Sequence, residues 1–556
     1  MTAAAEPHDK YDKHDGHDGH DGSDGHEGED DMTHPPNANW TLTHTSRAHA
    51  GARPDHPAII CEDRVLTYAK LHRASNRAAH ALRAQNVRRG DRVAYLGRES
   101  ENYYLVILAC AKVGAVLVPV NWRLTPDEVD HILRDSGASL VFVDDEFWDT
   151  LEKVRPQLPA LHTVVRIDGM DIDGEPARGT GLRGWCADRQ ATDLELVSRP
   201  DDAVVQIYTS GTTGLPKGAV LAHRSFFTLP AAMREHGVAW IDWLPDDISL
   251  ISLPGFGIAG IGWFMHTFNA GGTSVVMPQF DPQEAVRLIR TYGVTTTFAA
   301  PAMLQTMAAE RDAGPVAFAS LRKIAYGAAP MSETLLKQCL ETFNCEFAQI
   351  YASTETGSVA VCLPPEAHHP GSPVLESVGL PCPGNEVKVI GPEGDRLPPG
   401  TIGQICVRAP SLMLGYWNLP EATEQTLVGE WLHMGDAGYL DEDGYLHLCD
   451  RMNDTIIVAG QNIYPAEVEK ALAAHPDVAD AAVVGVPDQN WGEAVHACVV
   501  LRPGARVTPR ELLMSLRGHL ADYKIPGAYH FVDTLPRNPT GKILRRAVRE
   551  QLTRPV

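Results

Sequence analysis

Apolar residues recur along the chain in two rhythms. Short unbroken runs such as Val93-Ala94-Tyr95-Leu96, Leu140-Val141-Phe142-Val143 and the stretch Thr295 to Pro301 have the length and content of buried strands. Between such runs, Leu71, Ala74, Ala78 and Leu82 keep helical spacing, and Glu128 to Leu133 and Ala285 to Ile289 read as helices. Tyr104 to Lys112 reads as a buried helix leading into Gly114 to Val120. Ile248 to Leu253 is predicted as a strand ending at Pro254-Gly255-Phe256-Gly257, and Leu321 to Gly327 as another. Strands alternating with helices predict α/β units around a largely parallel sheet.

The pattern changes twice. Residues 169 to 200 are polar and irregular, which predicts a surface excursion. Thr401 to Cys449 is richer in short strands and turns, and Arg451 to Ile457 is a junction. Beyond it, a helix at Ala466 to Ala473, strands at Ala481 to Gly485 and Val495 to Val500, and a helix near Glu511 predict a small α+β unit. No internal repeat of fixed period is present.

A chain of 556 residues is too long for one core, and 44% hydrophobic with 21% charged residues is an ordinary globular composition. No apolar run reaches the roughly 18 residues of a membrane span, and the acidic start is no signal peptide. Ten scattered cysteines without C-x-x-C pairs predict reduced thiols and a cytoplasmic location. The net charge of −23 argues against nucleic acid and anionic lipid as partners. The opening segment, residues 1–36, holds HDGHDGHDGSDGHEGEDD, predicting a disordered tail. Its His14, His17, His20 and His26 could chelate a divalent metal weakly; a merely solubilising tail is the equal alternative.

The chemistry concentrates first at Thr209-Ser210-Gly211-Thr212-Thr213-Gly214-Leu215-Pro216-Lys217-Gly218, after the β-prone run Val204 to Tyr208. Three glycines and four hydroxyl residues in ten positions offer bare N–H groups, extra donors and one lysine, which suits phosphate. The spacing is not that of a Walker loop, because glycine follows Lys217. This stretch resembles the phosphate-binding signature of the acyl-adenylate-forming superfamily: acyl- and aryl-CoA synthetases, luciferases and peptide-synthetase adenylation domains. The resemblance runs from about residue 45 to 550, nearest to bacterial fatty-acyl and aryl-CoA ligases.

The resemblance assigns further residues. In Tyr351-Ala352-Ser353-Thr354-Glu355-Thr356-Gly357 it makes Thr354 an α-phosphate contact and Glu355 the Mg²⁺ ligand, a carboxylate suiting that hard cation. Gly327-Ala328-Ala329-Pro330 resembles the segment lining adenine, with Tyr351 beside it. In Trp431 to Asp436, Asp436 accepts both ribose hydroxyls, and Arg451 adds a ribose contact. Pro536-Arg537-Asn538-Pro539-Thr540-Gly541-Lys542 places Lys542 as the adenylation lysine, bridging the acid and the α-phosphate. Phe256, Gly257, Tyr326 and Gly327 fall where the acid pocket lies, with Gly257 where most relatives carry a large ring. The hinge falls on Asn453, usually Lys or Asp, and the thiol-access loop on Ala459-Gly460-Gln461, one glycine short of the common form.

The implied fold is α/β: a large N-terminal region of α/β layers plus a distorted β-barrel, residues 37–450, and a small mobile α+β C-terminal domain, residues 451–556. The implied activity uses ATP and Mg²⁺ to activate a small carboxylic acid as acyl-AMP, then passes the acyl group to CoA. Fatty acids and aromatic acids are both open as substrates. An adenylating enzyme that does not use CoA, for an aromatic acid or for nitrite in diazotisation, is the alternative, and a homodimer is left open.

Overall fold

The computed structural model describes residues 39–167, 181–195, 198–209, 215–329, 331–451, 454, 456–458, 461–488, 492–517, 519–520, 522–537 and 543–553. The side chains of Asp450, Arg451, Gln461 and Asn462 fall outside that description, as does the N-terminal tail.

Two large sheets build the N-terminal domain. The seven-stranded sheet runs Gly415–Tyr416, Lys217–Ala222, Ala203–Thr209, Val116–Val120, Arg92–Leu96, Leu140–Asp144, Thr163–Ile167. Its last five strands are parallel, and Lys217–Ala222 returns antiparallel against Ala203–Thr209. The nine-stranded sheet has a parallel centre of Glu346–Tyr351, Lys323–Gly327, Thr296–Ala299, Ile248–Ile251, Thr273–Val276 and Pro57–Cys61. Parallel strands need both faces covered, which is why their sequences are near-continuous apolar runs. Helices Glu101–Val113 and Ile258–Ala270 meet through Tyr104 and Phe264, whose rings stack with centroids 3.5 Å apart.

A third sheet of Glu386–Ile390, Gly403–Arg408, Trp431–Leu440, Leu427–Val428 and Leu446–Arg451 is antiparallel and curls as part of a barrel. The C-terminal α+β domain has the sheet Gln461–Ile463, Ile456–Val458, Gly492–Leu501, Val478–Asp488, with Ala528–Phe531 added in parallel to Gly492–Leu501. Its helix Pro509–Leu516 starts at a capping box of Thr508 and Glu511.

Most predicted elements recur with shifted ends. The strand expected at Ile248 to Leu253 stops at Ile251, where the chain turns towards Pro254. The excursion of residues 169 to 200 contains a short helix, Leu182–Cys186, and its residues 169–180 and 196–197 lie outside the description. Within the region of expected short strands, Trp431–Leu440 runs ten residues and carries Asp436.

Candidate active site

The phosphate-type loop is a hairpin connection. Thr209 and Lys217 are cross-strand partners, so the stems of the loop are pinned side by side. Ser210, Gly211, Thr212, Thr213 and Gly214 lie outside the described residues. A strand–loop–strand arrangement differs from a Walker loop, which opens a helix.

The segment 411–417 ties this hairpin to the turn at 354–357. Leu414 N–H donates to Val220 O at 2.8 Å and Trp417 N–H to Gly218 O at 2.8 Å. On the other side, Met413 N–H donates to Glu355 O at 2.9 Å and the Ser411 hydroxyl to Thr356 O at 2.7 Å. The turn is shaped by Gly357 N–H donating to Thr354 O at 3.1 Å, with Gly357 at φ +69°. A side chain at Gly357 would run into Ser411 O, so glycine is required by close approach as well as by φ.

Two side chains meet at this junction. The Tyr416 hydroxyl donates to Glu355 Oε1 at 2.8 Å, and Lys217 Nζ lies 5.2 Å from the centroid of the Tyr416 ring. Burial, and then Glu355 itself, raise the Tyr416 phenol well above its ordinary range, so it is a permanent donor. Tyr416 has no place among the residues expected from sequence; the only hint was a glycine followed by two aromatics, Gly415-Tyr416-Trp417, which is weak evidence on its own.

A second junction forms at the strand ends. Gly327 is the register partner of Ile350, one residue before Tyr351. A Cβ at Gly327 would approach Ile350 O to 2.5 Å, so bare backbone is needed there. Ala328 follows at φ +66°, a left-handed conformation that costs a non-glycine residue about 1–2 kcal/mol. Strain of this kind concentrates at ligand sites. Ala328 and Ala329 are exposed, and Tyr351 is buried with its hydroxyl donating to Asp436 Oδ2 at 2.6 Å. Asp436 is itself buried and pairs in register with Arg451. A carboxylate has about four lone-pair sites, and the Tyr351 hydroxyl occupies one of those on Asp436. A buried acceptor at one junction and a tyrosine-held carboxylate near a lysine at the other fit a magnesium nucleotide.

Phe256 and Gly257 follow the strand Ile248–Ile251, and Gly257 is the N-cap of helix Ile258–Ala270 at an extended φ of −117°. A Cβ there would meet only Pro254 O at 3.7 Å, an ordinary contact. Neither backbone nor packing therefore demands glycine at 257. Gly260, by contrast, lies against Leu253 O and Pro254 O with no room for a side chain.

Tyr326 is not gathered with Phe256 and Gly257. Successive residues of a strand face opposite sides of the sheet; Ala325 belongs to the larger core cluster, and Tyr326 packs in the second one with Phe347 and beside His368. Its hydroxyl hydrogen-bonds to His368 Nε2 at 3.1 Å and to Gln349 Oε1 at 3.2 Å. Tyr326 is buried, and in the acid pocket it would offer this hydrogen-bonded ring from the strand Lys323–Gly327. Lys542, Asn453, Ala459 and Gly460 lie outside the described residues, as do the side chains of Arg451 and Gln461.

The profile of the AMP-binding enzyme family matches residues 46–417, and that of the AMP-binding enzyme C-terminal domain matches residues 467–542. The fatty acid–[acyl-carrier-protein] ligase ScoC of Streptomyces coeruleorubidus is 51% identical over 522 residues, covering 94% of this chain and 98% of that protein. A feruloyl-CoA synthase of Amycolatopsis sp is 38% identical, over 87% of this chain and 94% of that protein. Among solved structures, ATP-bound MatB from Rhodopseudomonas palustris superposes with a TM-score of 0.80 at 29% identity, over 92% of this chain and 99% of that chain. The chain belongs to the AMP-binding enzyme family of ATP-dependent, acyl-adenylate-forming ligases, close to its bacterial acyl- and aryl-CoA ligases.

Proposed function

We propose that the chain activates a fatty acid and delivers it as a thioester to the thiol of a phosphopantetheine arm. In the first half-reaction a carboxylate oxygen attacks the α-phosphorus of ATP. The bond from that phosphorus to the α,β-bridging oxygen breaks, and pyrophosphate leaves. In the second, the thiol sulfur attacks the acyl carbon, the thiol proton passes to solvent, and AMP leaves with the electron pair of the cleaved acyl–oxygen bond.

In this reading Thr209, residues 210–214 and Lys217 cradle the phosphates, and Thr354 contacts the α-phosphate. Gly327, Ala328, Ala329 and Tyr351 border the adenine, while Asp436 and Arg451 hold the ribose. Glu355, oriented by Tyr416, would hold Mg²⁺, which would neutralise phosphate charge. Lys542 stabilises charge as it develops on the pentavalent phosphorus. Phe256 and Gly257 border the acid, Asn453 is the pivot between half-reactions, and Ala459, Gly460 and Gln461 admit the arm. The observation that carries the reading is the meeting of Lys217, Tyr416 and Glu355, which sets a cation and a carboxylate between hairpin and turn.

The 51% likeness to a fatty acid–[acyl-carrier-protein] ligase favours a carrier protein as the acceptor. CoA presents the same thiol and is the second reading, favoured by the 38% likeness to a feruloyl-CoA synthase. The test is incubation with ATP, Mg²⁺ and a panel of fatty and aromatic acids, with either CoA or a phosphopantetheinylated carrier protein, read by mass spectrometry. The reading expects a fatty-acyl thioester on the carrier in excess of that on CoA; adenylate without thioester on either acceptor contradicts it.

A further inference from the structure

The two large sheets are joined at their strand ends by a buried carboxylate outside the nucleotide site. Glu99 follows the strand Arg92–Leu96 and is 5% exposed. Its carboxylate accepts the N–H of Gly255, in the loop after the strand Ile248–Ile251 of the other sheet. The N–H of Phe256 also favours its charged form. Tyr103, four residues on, donates its hydroxyl to Gly255 O at 2.6 Å. The two peptide groups flanking one residue are thus held, the N–H of Gly255 by Glu99 and its C=O by Tyr103. A Cβ at Gly255 would lie 2.7 Å from the Tyr103 ring, so the close grip depends on glycine. Beyond Gly255, Arg123 lies over the Trp122 ring at 4.1 Å and over the Phe256 ring at 5.5 Å.

We propose that Glu99 is a positioning residue for acid binding: its ionised carboxylate, gripping Gly255 together with Tyr103, holds Phe256 and Gly257 in the acid-binding geometry. This rests on the reading that Phe256 and Gly257 border the acid. A buried carboxylate anchored on backbone N–H groups is an expensive way to fix a loop, because desolvation works against its charge. Burial raises Glu99 to about 7, with the N–H groups of Gly255 and Phe256 and the charge of Arg123 acting in the opposite sense. The other groups facing it are Arg98 on its own loop and the phenols of Tyr95, Tyr103 and Tyr104, all raised by burial and neutral. Asp144 lies beyond Arg98, whose N–H it accepts at 2.8 Å, and burial raises it to about 6.

The grip weakens as pH falls through about 7 and Glu99 takes up a proton, since hydrogen bonds to an ionised acceptor are the stronger kind. The acid substrate, with an ordinary carboxyl near 4.3, stays ionised throughout that range. The experiment is steady-state pyrophosphate release from the full chain at saturating MgATP between pH 6 and 8.5, for the parent, Glu99→Gln and Tyr103→Phe. The expected result is a KM for the acid that rises below pH 7 in the parent. In Glu99→Gln it is raised about ten-fold at pH 8 and pH-independent, with KM for ATP unchanged. Tyr103→Phe, which loses one hydroxyl, raises KM for the acid while keeping the parent's pH dependence, so the proposal is tested even where the Glu99 variant fails to fold. A parent KM for the acid that is flat with pH, or variants that change KM for ATP and acid alike, overturns the positioning role and leaves the adenylation reading standing. A parent that releases no pyrophosphate with any acid overturns both.

Discussion

The hydroxyl of Tyr351 donates to Oδ2 of Asp436 at 2.6 Å, both groups buried, and so fixes a strand end of the nine-stranded sheet to the antiparallel sheet. In the proposed reading the same contact sets the adenine platform and the ribose acceptor in one piece. Tyr351→Phe is expected to raise KM for ATP about ten-fold, and Asp436→Ala more, because a hydrogen bond to a charged partner is worth about 1.5–3 kcal/mol. KM for the acid should hardly move in either variant. Initial rates over an ATP titration at saturating acid check this.

Tyr416 is expected to act on the metal rather than on the nucleotide. Its hydroxyl fixes Glu355 Oε1, and Tyr416→Phe removes that hydrogen bond while keeping the ring near Lys217. The Mg²⁺ concentration for half-maximal rate should rise about ten-fold, with the plateau rate little changed. Manganese binding followed by electron paramagnetic resonance in the presence of ATP reads the same loss without turnover.

Gly257 offers a test of substrate choice that does not disturb the fold. Its φ is ordinary, and a Cβ has space, so Gly257→Leu should fold with a melting temperature within a few degrees of the parent. If 257 borders the acid, the added side chain should cut kcat/KM for bulky aromatic acids about 10–200-fold, the range one apolar group commands in a pocket. Short straight-chain acids should be less affected. Equal losses for all acids would place residue 257 away from the acid.

Stability should fall between pH 6.5 and 4.5. Burial lowers His72, His223, His266 and His368 to about 4, so the unfolded chain takes up protons at pH 6.5 that the folded chain refuses. Glu99 and Asp144 act oppositely, since burial raises them to about 7 and about 6 and the folded chain holds their protons longer. Burial also lowers His49, His56, His433 and His496, so the histidines outweigh the two carboxyls, unfolding takes up protons near pH 5, and stability falls with pH. Urea midpoints measured across that range, with proton uptake on unfolding, check the sign.

The strand runs and the order of the motifs were legible because they are local: a buried parallel strand must be apolar, and a phosphate loop must be small and hydroxylic. The pairing that pins Thr209 to Lys217 was not, since Lys217 to Ala222 has no alternation that separates a hairpin strand from the start of a helix. Tyr416 and Glu99 were illegible for a different reason. Tyr416 lies 61 positions from Glu355, and Glu99 lies 156 from Gly255; both act through contacts that no sequence spacing encodes. The partners of Tyr326 were illegible in the same way, since His368 lies 42 positions away.

The most direct measurement is acid-dependent exchange of labelled pyrophosphate into ATP, for the parent and for Lys542→Ala, across fatty acids, aromatic acids, and nitrite with an aminobenzoate. The account predicts exchange with a fatty acid in the parent and a loss of about 10²–10³ in the variant, the usual cost of one contact to developing charge. Undiminished exchange in Lys542→Ala, or AMP formed only with nitrite and the amine, would contradict it.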